Sequence, residues 1–180
     1  HETIINHRKQ NVWPIVNVEF GYEHGPKGID DKTYGVVQSP EEVCRRAWEI
    51  CLAGGYIAYY YTYTAWDVIH PEDTPIGYSY FKNLIDFFNN TKYWLMEPAD
   101  ELVNNGYCLA NHGFEYVIFI NASTKVRVKL GKSDRALSAK WFNPFTGKYI
   151  DTTGFGDAEV EFEPPSEWGN IPMALHLIYE

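Results

Sequence analysis

The sequence has no basic cluster and no long apolar run, and each absence excludes a class of partner. Its 15 Lys and Arg face 24 Asp and Glu, which gives a net charge of −9. A nucleic-acid surface needs a concentrated basic patch, and a membrane span needs roughly 20 apolar residues in a row. We therefore expect neither a nucleic-acid partner nor a membrane partner.

The sequence is also poor in cysteine, and its three cysteines lack the spacing of a disulfide or a metal site. Cys44 and Cys51 are seven residues apart in a predicted helix, a rise of roughly 10 Å, which is too far for a disulfide. Neither these two nor Cys108 has His or Cys neighbours at ligand spacing. We expect three buried thiols, no metal and no cofactor.

Aromatic residues are abundant, with 14 Tyr, 10 Phe and 6 Trp. Tyr and Trp combine a flat apolar face with a polar edge. This combination suits a sugar-binding surface, and it equally suits ordinary packing in a core or an interface. Composition alone leaves both interpretations open.

The first half of the chain predicts a strand, a helix and a second strand. Residues 13–20 are almost continuously apolar, as in a strand covered on both faces. Ser39 and Glu42 fit a capping box at the start of a helix, with Pro40 at its first position. Residues 56–64 are rich in aromatic and β-branched side chains and predict the second strand. A unit of this kind has parallel strands and a right-handed crossover.

Two parallel strands cannot form a stable sheet alone, because both of their outer edges remain unpaired. Further helices are predicted at residues 1–10 and 80–88, but they add no strands. We expect the missing strands to lie upstream of His1 in a longer protein, or on a partner chain.

The second half of the chain predicts an all-β domain. Short strand-like runs occur at 116–121, 126–130, 137–142, 159–163 and 173–179. Residues 159–163 alternate strictly between polar and apolar, and residues 143–147 predict a turn. This pattern is typical of a small antiparallel β-sandwich. We therefore divide the chain into an α/β part at 1–98 and a β-sandwich at 99–180.

Functional sites of parallel α/β folds lie where strands end and loops begin. Glu19 ends an apolar strand, where a carboxylate is costly unless it is paired or functional. It is either a nucleophile or one of a carboxylate pair for glycoside hydrolysis, or it pairs with an arginine. Glu23 either binds a substrate hydroxyl, orients Glu19, or is a solvated loop residue. Tyr63 and Trp66 form either a stacking platform for a sugar or a lid over the core, and Asn17 needs a hydrogen-bond partner.

Five segments, in this order and spacing, resemble the apiosidase-like glycoside hydrolases. Residues 14–23 resemble the family's P-V-x-N-x-E-x-x-Y-E segment, and residues 46–55 resemble the helix that follows it. Tyr60 and Trp66 resemble the corresponding residues of its strand eight and the next loop. Residues 94–100 resemble its interdomain link, and residues 141–147 resemble the turn of its C-terminal domain. That C-terminal domain is often labelled "putative collagen-binding". Asn143 and Phe145 depart from the family's turn, which has Asp and Arg there.

The resemblance implies the last two strands of a (β/α)8 TIM barrel, with strands one to six upstream. It implies a retaining glycoside hydrolase in which Glu19 is the nucleophile and Tyr22, Glu23, Tyr63 and Trp66 hold the sugar. The acid/base carboxylate would lie upstream, so this chain alone would be inactive. It further implies a secreted protein, extracellular or periplasmic, that acts on plant- or microbe-derived polysaccharide without a cofactor.

Two other functions are compatible with the same residues. The chain could be a non-catalytic carbohydrate- or matrix-binding module that retains the fold. It could also be a structural α/β unit whose carboxylates at the strand ends serve only stability.

Overall fold

The computed structural model describes residues 1–11, 13–25, 37–62, 72–131, 133–156 and 158–180. Its helices are α1 (Glu2–Gln10), α2 (Pro40–Leu52) and α3 (Gly77–Asn89), with 3-10 turns at Tyr93–Leu95, Asp100–Leu102 and Ser166–Trp168. The first half contains strands β1 (Val16–Asn17), β2 (Tyr22–Glu23), β3 (Val37–Gln38), β4 (Tyr56–Ile57) and β5 (Tyr60–Tyr61). The second half contains β6 (Glu97–Pro98), β7 (Tyr107–Asn111), β8 (Glu115–Ile120), β9 (Val126–Lys129), β10 (Leu137–Phe142), β11 (Tyr149–Asp151), β12 (Glu159–Phe162) and β13 (Met173–Tyr179).

The strands of the first half are parallel, which confirms the predicted pairing. β1 pairs with β4, and β2 lies between β3 and β5. The expectation of two continuous strands is wrong. The predicted strand at 13–20 contains only β1, with β2 after its end, and the predicted strand at 56–64 is divided between β4 and β5. Beyond β1, Oδ1 of Asn17 accepts a hydrogen bond from the backbone N of Glu19 at 3.1 Å. That N–H is therefore not available to a neighbouring strand.

Helix α2 begins where the capping signal predicts. The Oγ of Ser39 accepts a hydrogen bond from the backbone N of Glu42 at 3.2 Å, and Pro40 occupies the first helical position. The reciprocal half of the capping box is missing, because the carboxylate of Glu42 binds Arg45 and Arg46 instead. Hydrogen bonds from Arg45, followed by those from Arg46, lower the pKa of Glu42 to about 2 against the effect of burial.

The second half forms an antiparallel six-stranded sheet in the order β11-β10-β13-β8-β7-β6, and a second sheet of β12 and β9. The five predicted strands all exist, with ends that differ by at most one residue. Sequence reasoning missed β6, β7 and β11. The chain as a whole is therefore a mixed α/β protein whose largest sheet is antiparallel.

The six-stranded sheet is covered on both faces. One face shares a core with the two-stranded sheet, in which Trp141 and Leu175 pack with Val128 and Phe162. The other face packs against α2 and α3 in a second core. That core contains Trp48, Leu84, Phe87, Leu109, Val117, Phe119, Phe142 and Ala174. The helices of the first half thus form a third layer on the sheet of the second half.

Trp48 is the centre of this helix–sheet contact. Its side chain is completely buried, and its ring stacks on Phe119 with centroids 5.2 Å apart and an interplanar angle of 6°. The ring centroids of Trp48 and Phe87 of α3 lie 5.0 Å apart in an edge-to-face arrangement. One side chain of α2 therefore joins both helices to β8.

The three cysteines are free and buried, as the sequence predicts. Burial raises the pKa of the Cys44 and Cys51 thiols to about 12 each. These thiols are consequently protonated and unreactive near neutral pH. Among the helices that the structure describes, none combines the length and apolar composition that a membrane span requires.

Candidate functional site

Glu19 lies two residues beyond the carboxyl end of β1 and is exposed. Its Oε1 accepts a hydrogen bond from the hydroxyl of Tyr22 at 3.0 Å. Its backbone N donates a hydrogen bond to Oδ1 of Asn17. The side chain of Asn17 thus has the hydrogen-bond partner that its position in the strand was expected to require. Two predicted site residues, Glu19 and Tyr22, are thus brought together by a tight turn. Among the described residues, the recorded side-chain partner of Glu19 is a tyrosine and not an arginine.

The segment that carries Glu19 also borders an open groove between α1 and β1. The groove has a volume of about 470 Å³, and Ile4, His7, Val16, Val18 and Glu19 are among its lining residues. Val16 is 53% exposed and Val18 is 58% exposed. Apolar strand residues exposed to this degree are expected where a strand lacks its neighbours. In the described part of the chain, β1 pairs on one side only, with β4.

Arg46 of α2 supports the turn that contains Glu19. Its Nη1 donates to the backbone oxygen of Phe20 at 3.2 Å, while its Nε donates to Glu42 at 2.8 Å. Sequence reasoning did not identify this contact, because the carbonyl lies 26 residues earlier in the chain. No local pattern marks such a distant partner.

The carboxylate of Glu23 is 0% exposed. Its Oε1 accepts from the backbone N of Gly77 at 2.9 Å, and its Oε2 accepts from the hydroxyl of Tyr59 at 2.6 Å. Burial raises the pKa of Glu23, although these two hydrogen bonds oppose the rise. The interpretation of Glu23 as a solvated loop residue is therefore wrong. Its predicted contact with a sugar stays a prediction, which these internal contacts do not support.

Tyr63 and Trp66 lie outside the described residues, so their predicted stacking role stays a prediction. The last residue described before them is Thr62, which is buried. Its Oγ1 accepts a hydrogen bond from the backbone N of Gly25 at 2.8 Å. The loops that follow β2 and β5 therefore start side by side, whereas Glu19 lies before β2, in the segment between β1 and β2.

The described residues contain no group of three or more His, Cys, Asp or Glu side chains arranged to hold a metal ion. What the site does present is an exposed carboxylate with a phenolic hydrogen-bond donor at a parallel strand's carboxyl end. This arrangement can provide a nucleophile or an acceptor for a hydroxyl group.

The sequence of the second half matches a known family. Residues 98–172 match the model of a family described as "Putative collagen-binding domain of a collagenase". The second half of the chain is therefore similar to that family. This finding and the structural similarities below confirm the resemblance to glycoside hydrolases that end in such a domain. The match covers fewer than half of the residues of the chain. The family description does not show that this chain binds collagen.

Two solved structures share the fold of nearly the whole chain. One is described as a glycoside hydrolase, with a TM-score of 0.71 and 16% identity over 93% of this chain and 42% of its own. The other is a glycoside hydrolase family 5 protein from Bacteroides vulgatus, with a TM-score of 0.73 and 18% identity over 96% of this chain and 43% of its own. At such identities the similarity concerns the fold. The chain spans about two-fifths of the length of these structures, and no curated protein matches it significantly.

Proposed function

We propose that this chain is part of a retaining glycoside hydrolase in which Glu19 is the nucleophile. The observation that carries the proposal is the exposed carboxylate of Glu19 beyond a parallel strand, with a hydrogen bond from Tyr22. The glycoside hydrolase fold of the two similar structures supports it. The substrate is a plant- or microbe-derived polysaccharide, and the protein acts outside the cell or in the periplasm.

The proposal requires additional strands. β1 and β4 are strands seven and eight of a TIM barrel, and residues 99–180 form a β-sandwich that follows it. Three observations support this interpretation: the parallel pairing of β1 and β4, the exposed side chains of Val16 in β1 and Val18 just after it, and the greater length of the similar structures. Strands one to six come from the upstream part of the same protein or from a partner chain.

The proposed chemistry uses two carboxyl groups about 5–5.5 Å apart. A carboxylate oxygen of Glu19 forms a bond to the anomeric carbon as the glycosidic C–O bond breaks, and an upstream carboxylic acid gives its proton to the leaving oxygen. Water then attacks the anomeric carbon, releases Glu19 and returns a proton to the upstream carboxylate. Tyr22, Tyr63 and Trp66 contact the sugar, and Glu23 has the supporting role argued below.

The test uses the complete protein that contains this chain, assayed on a panel of aryl glycosides. Glu19→Gln should lower kcat by a factor on the order of 10³ or more, because a neutral amide cannot form the glycosyl ester. A slow 2-fluoro-glycoside substrate should leave a covalent sugar on the peptide that contains Glu19, detectable by mass spectrometry. The exposed Glu167 provides a matched control, since Glu167→Gln should leave kcat within twofold.

Unchanged turnover in Glu19→Gln would remove Glu19 from the nucleophile position. An inverted anomeric product, read by proton NMR at early times, would exclude the retaining mechanism. The 180-residue chain alone should show no turnover, because it lacks the upstream acid.

A second candidate function is a non-catalytic carbohydrate- or matrix-binding module. One observation favours it, namely a groove of about 290 Å³ on the second half that includes Ser133, Arg135, Thr152, Thr153 and Tyr179 in its lining. Hydroxyl and guanidinium groups next to an aromatic ring can bind polar ligands. Glycan arrays and collagen-coated surfaces would test this function, with Arg135→Ala expected to reduce any specific binding at least fivefold.

A further inference from the structure

The buried carboxylate of Glu23 joins the strand after Glu19 to helix α3. Gly77 is the first residue of α3, and its backbone N donates to Glu23 at 2.9 Å. Tyr59, between β4 and β5, donates its hydroxyl to the other oxygen at 2.6 Å. The N-terminus of a helix favours a negative charge, and a carboxylate offers acceptors to both donors. Each oxygen of Glu23 therefore accepts one hydrogen bond, and one of the two donors is the first backbone N of α3.

The space around this carboxylate admits no larger residue at position 77. A Cβ added to Gly77 would lie 1.8 Å from Oε2 of Glu23 and 2.8 Å from the hydroxyl of Tyr59. The rings of Tyr78 and Phe81 enclose Tyr59, with centroids at 5.6 and 4.4 Å. In such an apolar surrounding the two hydrogen bonds hold the side chain strongly in one position.

The residue before Glu23 points the other way. Successive side chains of an extended strand lie on opposite sides, so the anchored Glu23 sets the rotation of β2 about its own axis. Tyr22 then faces Glu19 and donates to it at 3.0 Å, while its ring lies 5.8 Å from that of Tyr60. The orientation of the Tyr22 hydroxyl thus depends on the contact that Glu23 makes with α3.

We propose that Glu23 is a positioning residue, which acts on the carboxylate of Glu19 through Tyr22 and not by touching a sugar. This proposal rests on the proposed function only in the catalytic role of Glu19. The coupling between Glu23 and Tyr22 is a structural statement that can be tested independently of turnover.

The structural test places 3-fluorotyrosine at position 22 of the complete protein and records its fluorine resonance. Glu19→Gln should move the resonance, because it changes the acceptor of the phenolic hydrogen bond. Glu23→Gln should also move it, and Tyr59→Phe, which removes one of the two donors, should move it less. Glu163 is the matched control, since this exposed carboxylate lies on the second half of the chain, 3.6 Å from Nζ of Lys125, and Glu163→Gln should leave the resonance in place.

The kinetic test is a double-mutant cycle on aryl glycosides. Glu23→Gln should lower kcat on the order of tenfold with KM within twofold, because a misplaced group costs turnover more than binding. In a Tyr22→Phe background the same substitution should have an effect below twofold.

Two results would overturn the positioning role. One is an unmoved fluorine resonance in Glu23→Gln under conditions in which Glu19→Gln moves it. The other is a double variant whose loss of kcat equals the product of the losses in Glu23→Gln and in Tyr22→Phe, as expected for two independent residues. If Glu19→Gln retains turnover, the proposed function fails, but the fluorine result still decides whether Glu23 sets the position of Tyr22.

Discussion

Buried charge in this chain is held by partners from distant parts of the sequence. Glu115 of β8 contacts His176 of β13, with Oε1 and Nε2 separated by 2.7 Å. Its other oxygen accepts from the backbone N of Lys92 at 3.0 Å. Burial alone would raise the pKa of Glu115, but the hydrogen bonds from His176 and Lys92 outweigh it, and the pKa is lowered. The ionised carboxylate therefore stabilises the fold.

Glu115→Gln tests this stabilisation through its pH dependence. A lowered pKa in the folded state means that the stabilisation is fully present above the ordinary value of 4.5 and is lost as the pH falls through the folded value. At pH 7 the substitution should reduce the free energy of unfolding by about 1–3 kcal/mol. Urea denaturation at several pH values should show this difference shrinking below pH 4.5. A difference that stays constant down to pH 3, or one reproduced by the exposed Glu163→Gln, would contradict the assignment.

The sequence predicts local contacts of the site and misses the distant ones. Glu19, Asn17 and Tyr22 lie within six residues, so the strand-end rule was enough to place Glu19 and Tyr22 in one candidate site. The burial of Glu23 depends on Gly77, which is 54 residues away. No periodicity in the chain around Glu23 distinguishes a buried anchor from a loop carboxylate, and sequence reasoning did not consider a buried anchor.

At the scale of elements, regular structure was predictable where a signal lies within one segment. The capping residues Ser39 and Pro40 predict the start of α2, and the alternation of polar and apolar residues predicts β12. β7 has neither, because a strand buried on both faces shows no period of two. β8 is also buried throughout, but its continuous run of aromatic and β-branched residues was enough to predict it. The early end of β1 within 13–20 and the break between β4 and β5 within 56–64 were not predicted either.

Ser39→Ala tests the contribution of the cap to α2. Removing the Oγ that accepts from Glu42 should lower the free energy of unfolding by about 1 kcal/mol. The measurement is urea denaturation of the chain at neutral pH, followed by circular dichroism. Ser166→Ala is the control, because Ser166 is exposed, and it should change stability by less than about 0.5 kcal/mol. Equal effects of the two substitutions would show that the cap does not stabilise α2.

At the scale of the whole molecule, the helices of the first half and the sheets of the second half are joined through Trp48. Trp48→Ala should cost about 3–5 kcal/mol, as expected for the removal of a large buried ring. Fluorescence and circular dichroism should still report one shared unfolding transition. Trp94 is 74% exposed, and Trp94→Ala should change stability by less than about 0.5 kcal/mol. Two separate transitions in the parent chain would show that the halves fold independently.

Residues 99–180 produced alone should be less stable than the same residues in the full chain. Without α2 and α3, the face formed by Leu109, Val117, Phe119, Phe142 and Ala174 meets water. An uncovered apolar face of this kind promotes association. Dye binding and sedimentation velocity should detect the exposed surface and the self-association. A monomeric fragment that binds no dye and keeps the parent's denaturation midpoint would contradict the expectation.

Coverage of the six-stranded sheet on both faces limits how this protein can be recombined. A domain that is joined to its neighbour only by a linker can be fused to other proteins. The six-stranded sheet instead packs against α2 and α3, so it has to be transferred together with these helices. Transplanting the C-terminal strands onto an unrelated enzyme should therefore succeed only when the graft includes Trp48 and the helix that presents it. In natural gene fusions that contain this arrangement, we expect α2, α3 and the six-stranded sheet to be inherited together.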